Sequence, residues 1–273
     1  MSVWINGRRA TLLDYRDRGL QYGDGIFETM RVQRRRVRLL DFHLERLHAG
    51  CERLKIAGPE PRRLRAELER IARGRNSGVL KLIVTRGGGP RGYRPSGRER
   101  CTRIVSLFPQ PRGGAQTAAG VRVRVCATPL STNPKLAGLK TLNRLDSVLA
   151  RAEWHDARIW EGLMRDADGN WIGGTMSNLF LTRGLVLMTP LLDRCGTAGV
   201  MRRWVMSMSR ELRLRMVERR IGWDDLESAE EVFMTNALVG IQPVRSIEWP
   251  RVATLRFRGA GIAERLRELL ETR

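Results

Sequence analysis

The sequence predicts a two-domain chain of the α+β or α/β class. Three observations predict it: a length of 273 residues, short apolar runs that alternate with amphipathic helical patterns, and one Pro/Gly-rich segment without periodicity. A hydrophobic fraction of 42% excludes a disordered polyelectrolyte. We predict a smaller N-terminal domain at 1–108, a linker at 109–120 and a larger C-terminal domain at 121–273.

The N-terminal domain is predicted to contain five strands and two helices. Apolar runs predict strands at Val3–Asn6, Ile26–Val32, Val37–Leu40, Leu80–Val84 and Ile104–Phe108. Asp41 is predicted to cap a helix whose inward face carries Leu44, Leu47, Cys51 and Leu54. A second helix is predicted from Pro61 to Arg73, and a glycine-rich loop, Arg86–Tyr93, separates the last two strands.

The C-terminal domain is predicted to alternate strands and helices. Strands are predicted at Val121–Cys126, Leu163–Asp166, Asn178–Thr182, Val186–Met188 and Val232–Thr235. Helices are predicted at Asn143–His155, Gly199–Leu212 and Ile262–Leu270. In the first of these helices the spacing predicts that the apolar face turns inward, with Leu145, Val148, Leu149 and Ala152.

The net charge of +21 comes almost entirely from arginine, since only four of the 50 basic residues are lysines. The arginines are spread over the whole length without a basic tail, and three tyrosines are too few for a platform that stacks single strands. The charge therefore indicates arginine-rich solvated faces. We expect no specific nucleic-acid partner.

The lengths of apolar runs and the positions of cysteines exclude several other classes of protein. No apolar run reaches the ~18 residues of a membrane span, and residues 1–20 carry Asp14 and Asp17 where a signal peptide has its apolar core. The four cysteines form no CxxC pair, which argues against a disulfide scaffold or a zinc site. We expect a cytoplasmic protein with no membrane partner.

Histidine chemistry is also poorly supported. His43 and His48 lie five positions apart on the first predicted helix, so they face different directions. We interpret both as solvated helix histidines and expect no metal ligands. A Gly-x-Ser-x-Gly elbow and a Walker loop are absent from the sequence.

One lysine is a candidate nucleophile. Lys140 follows a largely apolar approach at 134–139 and stands just before a predicted helix. Desolvation at such a position favours the neutral amine, which can form an imine. A functional lysine and an ordinary half-buried loop lysine both remain open on this evidence.

Two segments could bind a phosphate. Residues 194–199 run directly into a predicted helix, whose first N–H groups have no partner within the helix. Met234–Ala237 ends a predicted strand with polar groups. A reactive lysine together with two such segments suggests pyridoxal phosphate, which requires an amine partner and an anion site.

Six segments, in order, resemble the fold-type IV pyridoxal-phosphate enzymes, the class IV aminotransferase family. They are Tyr22–Thr29, His43–Leu47, Gly138–Leu145, Met176–Phe180, Gly199–Arg202 and Val232–Ala237. The resemblance covers nearly the whole chain. It implies a two-domain architecture like that of D-amino-acid aminotransferases, a pyridoxal 5'-phosphate cofactor and a homodimer.

The resemblance also implies roles for individual residues. Lys140 would carry the cofactor covalently. The cofactor phosphate would be bound by the guanidinium of Arg46 and by groups of Val200, Met201, Asn236 and Ala237. Without the resemblance, Arg46 would be interpreted as a solvated helix arginine.

Within the family, the 4-amino-4-deoxychorismate lyases are most similar. The similarity lies in Val84–Tyr93, Asn133–Gly138 and Lys140–Leu145. Arg91 and Tyr93 are candidates for binding a substrate carboxylate, with a mobile surface loop as the alternative for Arg91. Thr29 is a candidate for a hydroxyl contact at the cofactor ring.

One position departs from the family pattern. A glutamate that pairs with the pyridine nitrogen normally stands five residues before the Asn of the Asn-Leu-Phe run, and here that position is Gly173. A carboxylate there keeps the ring protonated, so its absence disfavours transamination more than an elimination that forms an aromatic product.

Three functions follow as expectations. The first is conversion of 4-amino-4-deoxychorismate to 4-aminobenzoate and pyruvate, for folate synthesis. The second is an aminotransferase of the same fold, acting on D-amino acids, branched-chain amino acids or amines. The third is a binding protein that lost its chemistry together with the glutamate at position 173.

Overall fold

The computed structural model of the chain describes residues 2–110 and 119–272. These form two compact units: a first unit of 2–110 with 139–143, and a second unit of 119–138 with 144–272. Lys140, which the sequence assigned to the C-terminal domain, therefore belongs to the first unit. Most of the predicted linker, namely 111–118, lies outside the described residues, so its boundaries remain a prediction.

The first unit is a six-stranded antiparallel sheet with three helices. Its elements are β1 (Ser2–Ile5), β2 (Arg8–Arg9), α1 (Arg18–Tyr22), β3 (Gly25–Gln33), β4 (Arg36–Val37), α2 (Leu40–Arg53), α3 (Pro61–Ala72), β5 (Ser77–Thr85) and β6 (Thr102–Phe108). The strand order is β2-β1-β6-β5-β3-β4. The apolar faces of α2 and α3 form one core with the sheet, which includes Leu44, Leu47, Leu64, Leu68, Met30 and Leu80.

The start of α2 differs from the prediction. The predicted strand Val37–Leu40 ends at Val37, and the helix begins at Leu40. The residue before it, Leu39, has a φ of 55° and provides no side-chain cap, so Asp41 lies in the first turn and not at the cap. The chain turns sharply from β4 into α2 because Leu39 adopts this left-handed conformation, which no local sequence pattern predicts.

The second unit is built on a nine-stranded mixed sheet. Its elements are β7 (Val121–Val125), α4 (Leu145–Arg151), β8 (Ile159–Arg165), β9 (Trp171–Gly174), β10 (Asn178–Arg183), β11 (Val186–Pro190), α5 (Val200–Met208), β12 (Arg215–Arg219), α6 (Trp223–Glu227), β13 (Glu231–Asn236), β14 (Gly240–Trp249), β15 (Ala253–Arg256) and α7 (Gly261–Thr272).

Six of these strands close on themselves as a barrel. The order β10-β13-β14-β7-β8-β9 returns to β10 through the pair Asn178 and Gly173. β7 runs parallel to both β8 and β14, while β11 and β12 extend the sheet beyond β10. Closure gives each of the six barrel strands a partner on both sides, whereas an open sheet would leave two of them as edges.

The predictions for the second unit were incomplete. Five elements were not predicted: β9, β12, β14, β15 and α6. Two glycines end β9, and Pro243 interrupts the apolar pattern of β14. α4 is shorter than predicted, and its apolar face is not inward. Leu145, Val148 and Leu149 are 75%, 58% and 59% exposed.

No helix in the described part of the chain is long and apolar enough to cross a membrane.

Candidate functional site

Lys140 lies against the first residues of β3. The segment 139–142 pairs with this strand: Phe27 N donates to Lys140 O at 3.0 Å, and Leu142 N donates to Gly25 O at 3.0 Å. The half-buried Lys140 amine is 4.3 Å from the centroid of the Phe27 ring. The two backbone hydrogen bonds flank Thr141, so pairing with β3 begins at the carbonyl of Lys140 and fixes the course of the chain directly after it.

β3 places two further groups near this lysine. Its alternation puts Phe27 and Thr29 on one face, and the core residues Ile26 and Met30 on the other. Glu28 shares the core-facing register of Ile26 and Met30, and it is 1% exposed. Thr29, a predicted ring contact, thus shares the face of Phe27, while a carboxylate is buried behind it.

Glu28 is paired with two residues of α2. Arg46 donates to its carboxylate from Nε at 2.7 Å and from Nη2 at 2.5 Å. His43 Nδ1 lies 2.6 Å from Glu28 Oε2. His43, predicted to be solvated, is 1% exposed, because α2 turns it toward the sheet. Arg46 is therefore a partly buried ion-pair partner and not a solvated helix arginine.

The charges in this group are strongly coupled. Burial by itself raises the pKa of the Glu28 carboxyl. The neighbouring Arg46 and His43 lower it by more than burial raises it, and the resulting pKa is about 2. Burial lowers the pKa of His43, which favours the neutral ring. Since an ionised carboxylate only accepts hydrogen bonds, His43 carries its proton on Nδ1. Its Nε2 has no hydrogen-bond partner among the described residues.

The glycine-rich loop is tied to α1 by a buried arginine. Arg18 donates from Nη1 to Gly92 O and from Nη2 to Tyr93 O, both at 2.8 Å, and from Nε to Asp24 at 3.0 Å. Arg91 and Tyr93, the predicted carboxylate contacts, are exposed on this loop. The ring of Tyr93 meets Tyr22 edge-on at 5.5 Å.

The predicted phosphate-binding residues lie in the second unit. Val200 and Met201 form the first turn of α5, which contains no acidic residue, and both side chains are buried. These two residues can therefore contact a ligand only through their backbone N–H groups. Such groups at a helix N-terminus favour anions.

Asn236 and Ala237 follow at the end of β13. The side-chain oxygen of Asn236 accepts from Leu238 N at 3.0 Å and from Val239 N at 2.8 Å. This oxygen stabilises the turn after the strand. The predicted site residues of the second unit can thus bind a ligand mainly through backbone groups, at a turn and at the start of a helix. None of them has a charged side chain.

The backbone around position 173 leaves little space for a side chain. Gly173 faces Asn178 at the closure of the barrel, and a Cβ there would lie 2.8 Å from Ser177 O. The neighbouring buried carboxylate, Glu161, accepts four hydrogen bonds, from Gly162 N, Met176 N, Thr175 Oγ1 and Ser177 Oγ. Burial raises the pKa of Glu161.

Four buried polar residues were not named as site residues from the sequence: Arg18 and Glu28 in the first unit, and Asn178 and Glu161 in the second. For Glu28 a signal existed, because a glutamate at the core-facing register of an apolar strand requires a partner. Arg18 and Asn178 contact backbone atoms distant in sequence, and Glu161 binds hydroxyl and N–H groups of 175–177, so no local pattern specifies these contacts.

Comparison with known families gives a match over most of the chain. A family model described as amino-transferase class IV matches residues 25–247. The crystal structure of a 4-amino-4-deoxychorismate lyase from Pseudomonas aeruginosa is similar with a TM-score of 0.92 and 42% identity, covering 99% of this chain and 98% of that one.

Two curated relatives are similar over comparable lengths. An aminodeoxychorismate lyase from Vibrio harveyi is 34% identical, with 90% of this chain and 92% of the relative covered. A putative branched-chain-amino-acid aminotransferase from Methanocaldococcus jannaschii is 30% identical, with 91% and 88% covered. The similarity thus includes both a lyase and an aminotransferase.

Proposed function

The chain belongs to the class IV aminotransferase family, and from that premise we propose that it is a lyase that converts 4-amino-4-deoxychorismate to 4-aminobenzoate and pyruvate. The observation that carries the proposal is the similarity to a lyase of this specificity over 99% of the chain at 42% identity. The family uses pyridoxal 5'-phosphate, so this cofactor is expected here.

The residues present fit that cofactor. Lys140 offers a half-buried amine beside an aromatic ring. The first turn of α5, with Val200 and Met201, offers N–H groups and no opposing carboxylate. Arg46 donates from Nε and Nη2 to Glu28, which places its partly buried guanidinium, and a guanidinium pairs well with a phosphate. We propose that these residues, with Asn236 and Ala237, bind the cofactor.

When bound, pyridoxal phosphate withdraws electrons from the carbon that carries the substrate amine. Lys140, displaced by that amine, would take the proton from this ring carbon. The carbon–oxygen bond to the enolpyruvyl group would then break, and its electron pair would leave with the oxygen as the enolate of pyruvate. This enolate would take up a proton to become pyruvate, and the remaining ring would be aromatic. No keto acid and no water are consumed.

Arg91 and Tyr93 are proposed to bind substrate carboxylates. Both are exposed on a loop whose backbone Arg18 holds, so they are available to a ligand. A guanidinium pairs well with a carboxylate. Thr29 is proposed as a ring contact, because it shares a strand face with Phe27.

An aminotransferase is the second candidate, supported by the branched-chain relative at 30% identity. One experiment separates the two. The purified protein is incubated with 4-amino-4-deoxychorismate, with and without a keto acid, and aromatic product is followed. Product without a keto acid supports the lyase, and keto-acid-dependent amino transfer supports the aminotransferase. If neither appears, the protein is a binding protein.

The cofactor attachment is tested separately. Borohydride reduction of the loaded protein should fix the cofactor on the peptide that contains Lys140. Labelling of Lys55, Lys81 or Lys135, the other three lysines, would refute the assignment.

We also propose that the chain forms a homodimer. Leu145, Val148 and Leu149 occupy one face of α4 at helical spacing, and more than half of each is exposed. Contiguous exposed apolar surface of this kind is typical of an interface, and self-association with two-fold symmetry is the commonest way to cover it.

A further inference from the structure

The side chain of Asn178 joins the start of β10 to the segment that leads into α5. Its Nδ2 donates to Thr197 O at 2.8 Å, and its Oδ1 accepts from Gly199 N at 3.1 Å. The residue is 8% exposed. Since both partners are backbone atoms, the carboxamide fixes the course of the chain just before the helix.

Gly199 allows this close approach. A Cβ at that position would lie 2.1 Å from Asn178 Oδ1. Gly199 is the N-cap of α5 and offers no side chain for capping. Asn178 engages the N–H of Gly199 itself, and so it orients the helix start without using the N–H groups of Val200 and Met201.

The same segment is held from a second side by the chain that precedes Lys140. Gly138 N donates to Gly196 O at 3.0 Å, and Ala198 N donates to Gly138 O at 3.0 Å. Asn178 and Gly138 together thus determine the path of 196–199.

Asn178 is itself firmly placed. Glu161 accepts from Thr175 Oγ1 at 2.6 Å and Ser177 Oγ at 2.8 Å, which fixes the turn immediately before Asn178. Across the sheet Asn178 pairs with Thr235, so the two side chains share a face. The hydroxyl of Thr235 is buried and has no hydrogen-bond partner among the described residues, as expected beside a site that a ligand completes.

We propose that Asn178 is a positioning residue for the phosphate group of the cofactor: it holds 197–199 so that the N–H groups at the start of α5 converge on the anion. This inference rests on the proposed function, because it assumes the cofactor and its phosphate at α5. Asn178 itself needs no contact with the phosphate.

The test compares two ligands that differ only in the phosphate. Binding of pyridoxal 5'-phosphate and of pyridoxal is measured by equilibrium dialysis for the parent protein, Asn178→Ala, Asn178→Asp and Asn170→Ala. Asn170 is a matched control, since its Nδ2 donates to Asp166 at 3.0 Å in the turn between β8 and β9. Melting temperatures with and without inorganic phosphate measure binding at the anion site alone, because this ligand has no aldehyde that could react with a lysine.

Asn178→Ala should bind pyridoxal 5'-phosphate about tenfold more weakly, equivalent to about 1.4 kcal/mol, and pyridoxal within about twofold of the parent. Asn178→Asp keeps the acceptor for Gly199 but adds a negative charge, so it should lose at least as much affinity for the phosphorylated ligand. Asn170→Ala should retain both affinities. Inorganic phosphate should raise the melting temperature of the parent and the control more than that of the Asn178 variants.

Three results would overturn the inference. Equal losses for both ligands would show a general structural role for Asn178, and unchanged affinity for pyridoxal 5'-phosphate would show no role. If the parent bound the phosphorylated ligand no better than pyridoxal, the phosphate site itself would be absent. That last result also contradicts the proposed function, whereas the first two leave it intact.

Discussion

Replacing Glu28 with glutamine should destabilise the first unit in a pH-dependent way. The substitution preserves the shape of the side chain but removes the charge that Arg46 and His43 surround. The fall in the pKa of Glu28 from 4.5 to about 2 corresponds to about 3 kcal/mol of stabilisation near neutral pH. Because the folded pKa is lowered, this stabilisation is present above pH 4.5 and is lost as the pH falls toward 2.

Urea unfolding followed by far-ultraviolet circular dichroism measures this effect. The difference in unfolding free energy between the parent and Glu28→Gln should be about 3 kcal/mol near pH 7 and about 1 kcal/mol near pH 3. Glu248→Gln is the control, since Glu248 is bonded twice to Arg122 but its side chain is 29% exposed. Exposed pairs contribute at most about 1 kcal/mol. A difference for Glu28→Gln that is small, or independent of pH, would refute the coupling of Glu28 to Arg46 and His43.

Three other perturbations test local features. Gly173→Glu should lower the melting temperature by several degrees, because its Cβ meets a backbone oxygen 2.8 Å away at the barrel closure; unchanged melting and cofactor binding would contradict this. Arg18→Ala should accelerate tryptic cleavage in the glycine-rich loop, while Arg16→Ala, which removes an exposed arginine, should not. Leu149→Glu should shift the protein to a monomer in size-exclusion chromatography, and Leu185→Glu, at an apolar position that is 70% exposed, should leave it a dimer. A monomeric parent would refute the dimer.

Periodicity predicted the elements that bury one continuous face. The strand β3, the helices α2 and α3, and the cores they form follow directly from alternating and helical spacing. The same rule was wrong for α4, where the apolar residues are exposed. An apolar stripe predicts that one face of a helix is buried, but it does not predict which surface covers that face.

The amino-acid sequence alone predicted the chemistry that depends on residue type and local order. A rare lysine after an apolar segment, a glycine before a helix and the ordered motifs of a family predicted Lys140, the start of α5 and the cofactor. The buried polar contacts, in contrast, became visible only in the folded chain. Arg46 and His43 meet Glu28 across 15 or more residues, and Asn178 reaches Gly199 across 21. Such contacts depend on strand register and helix rotation, which packing of the whole unit sets and no short segment contains.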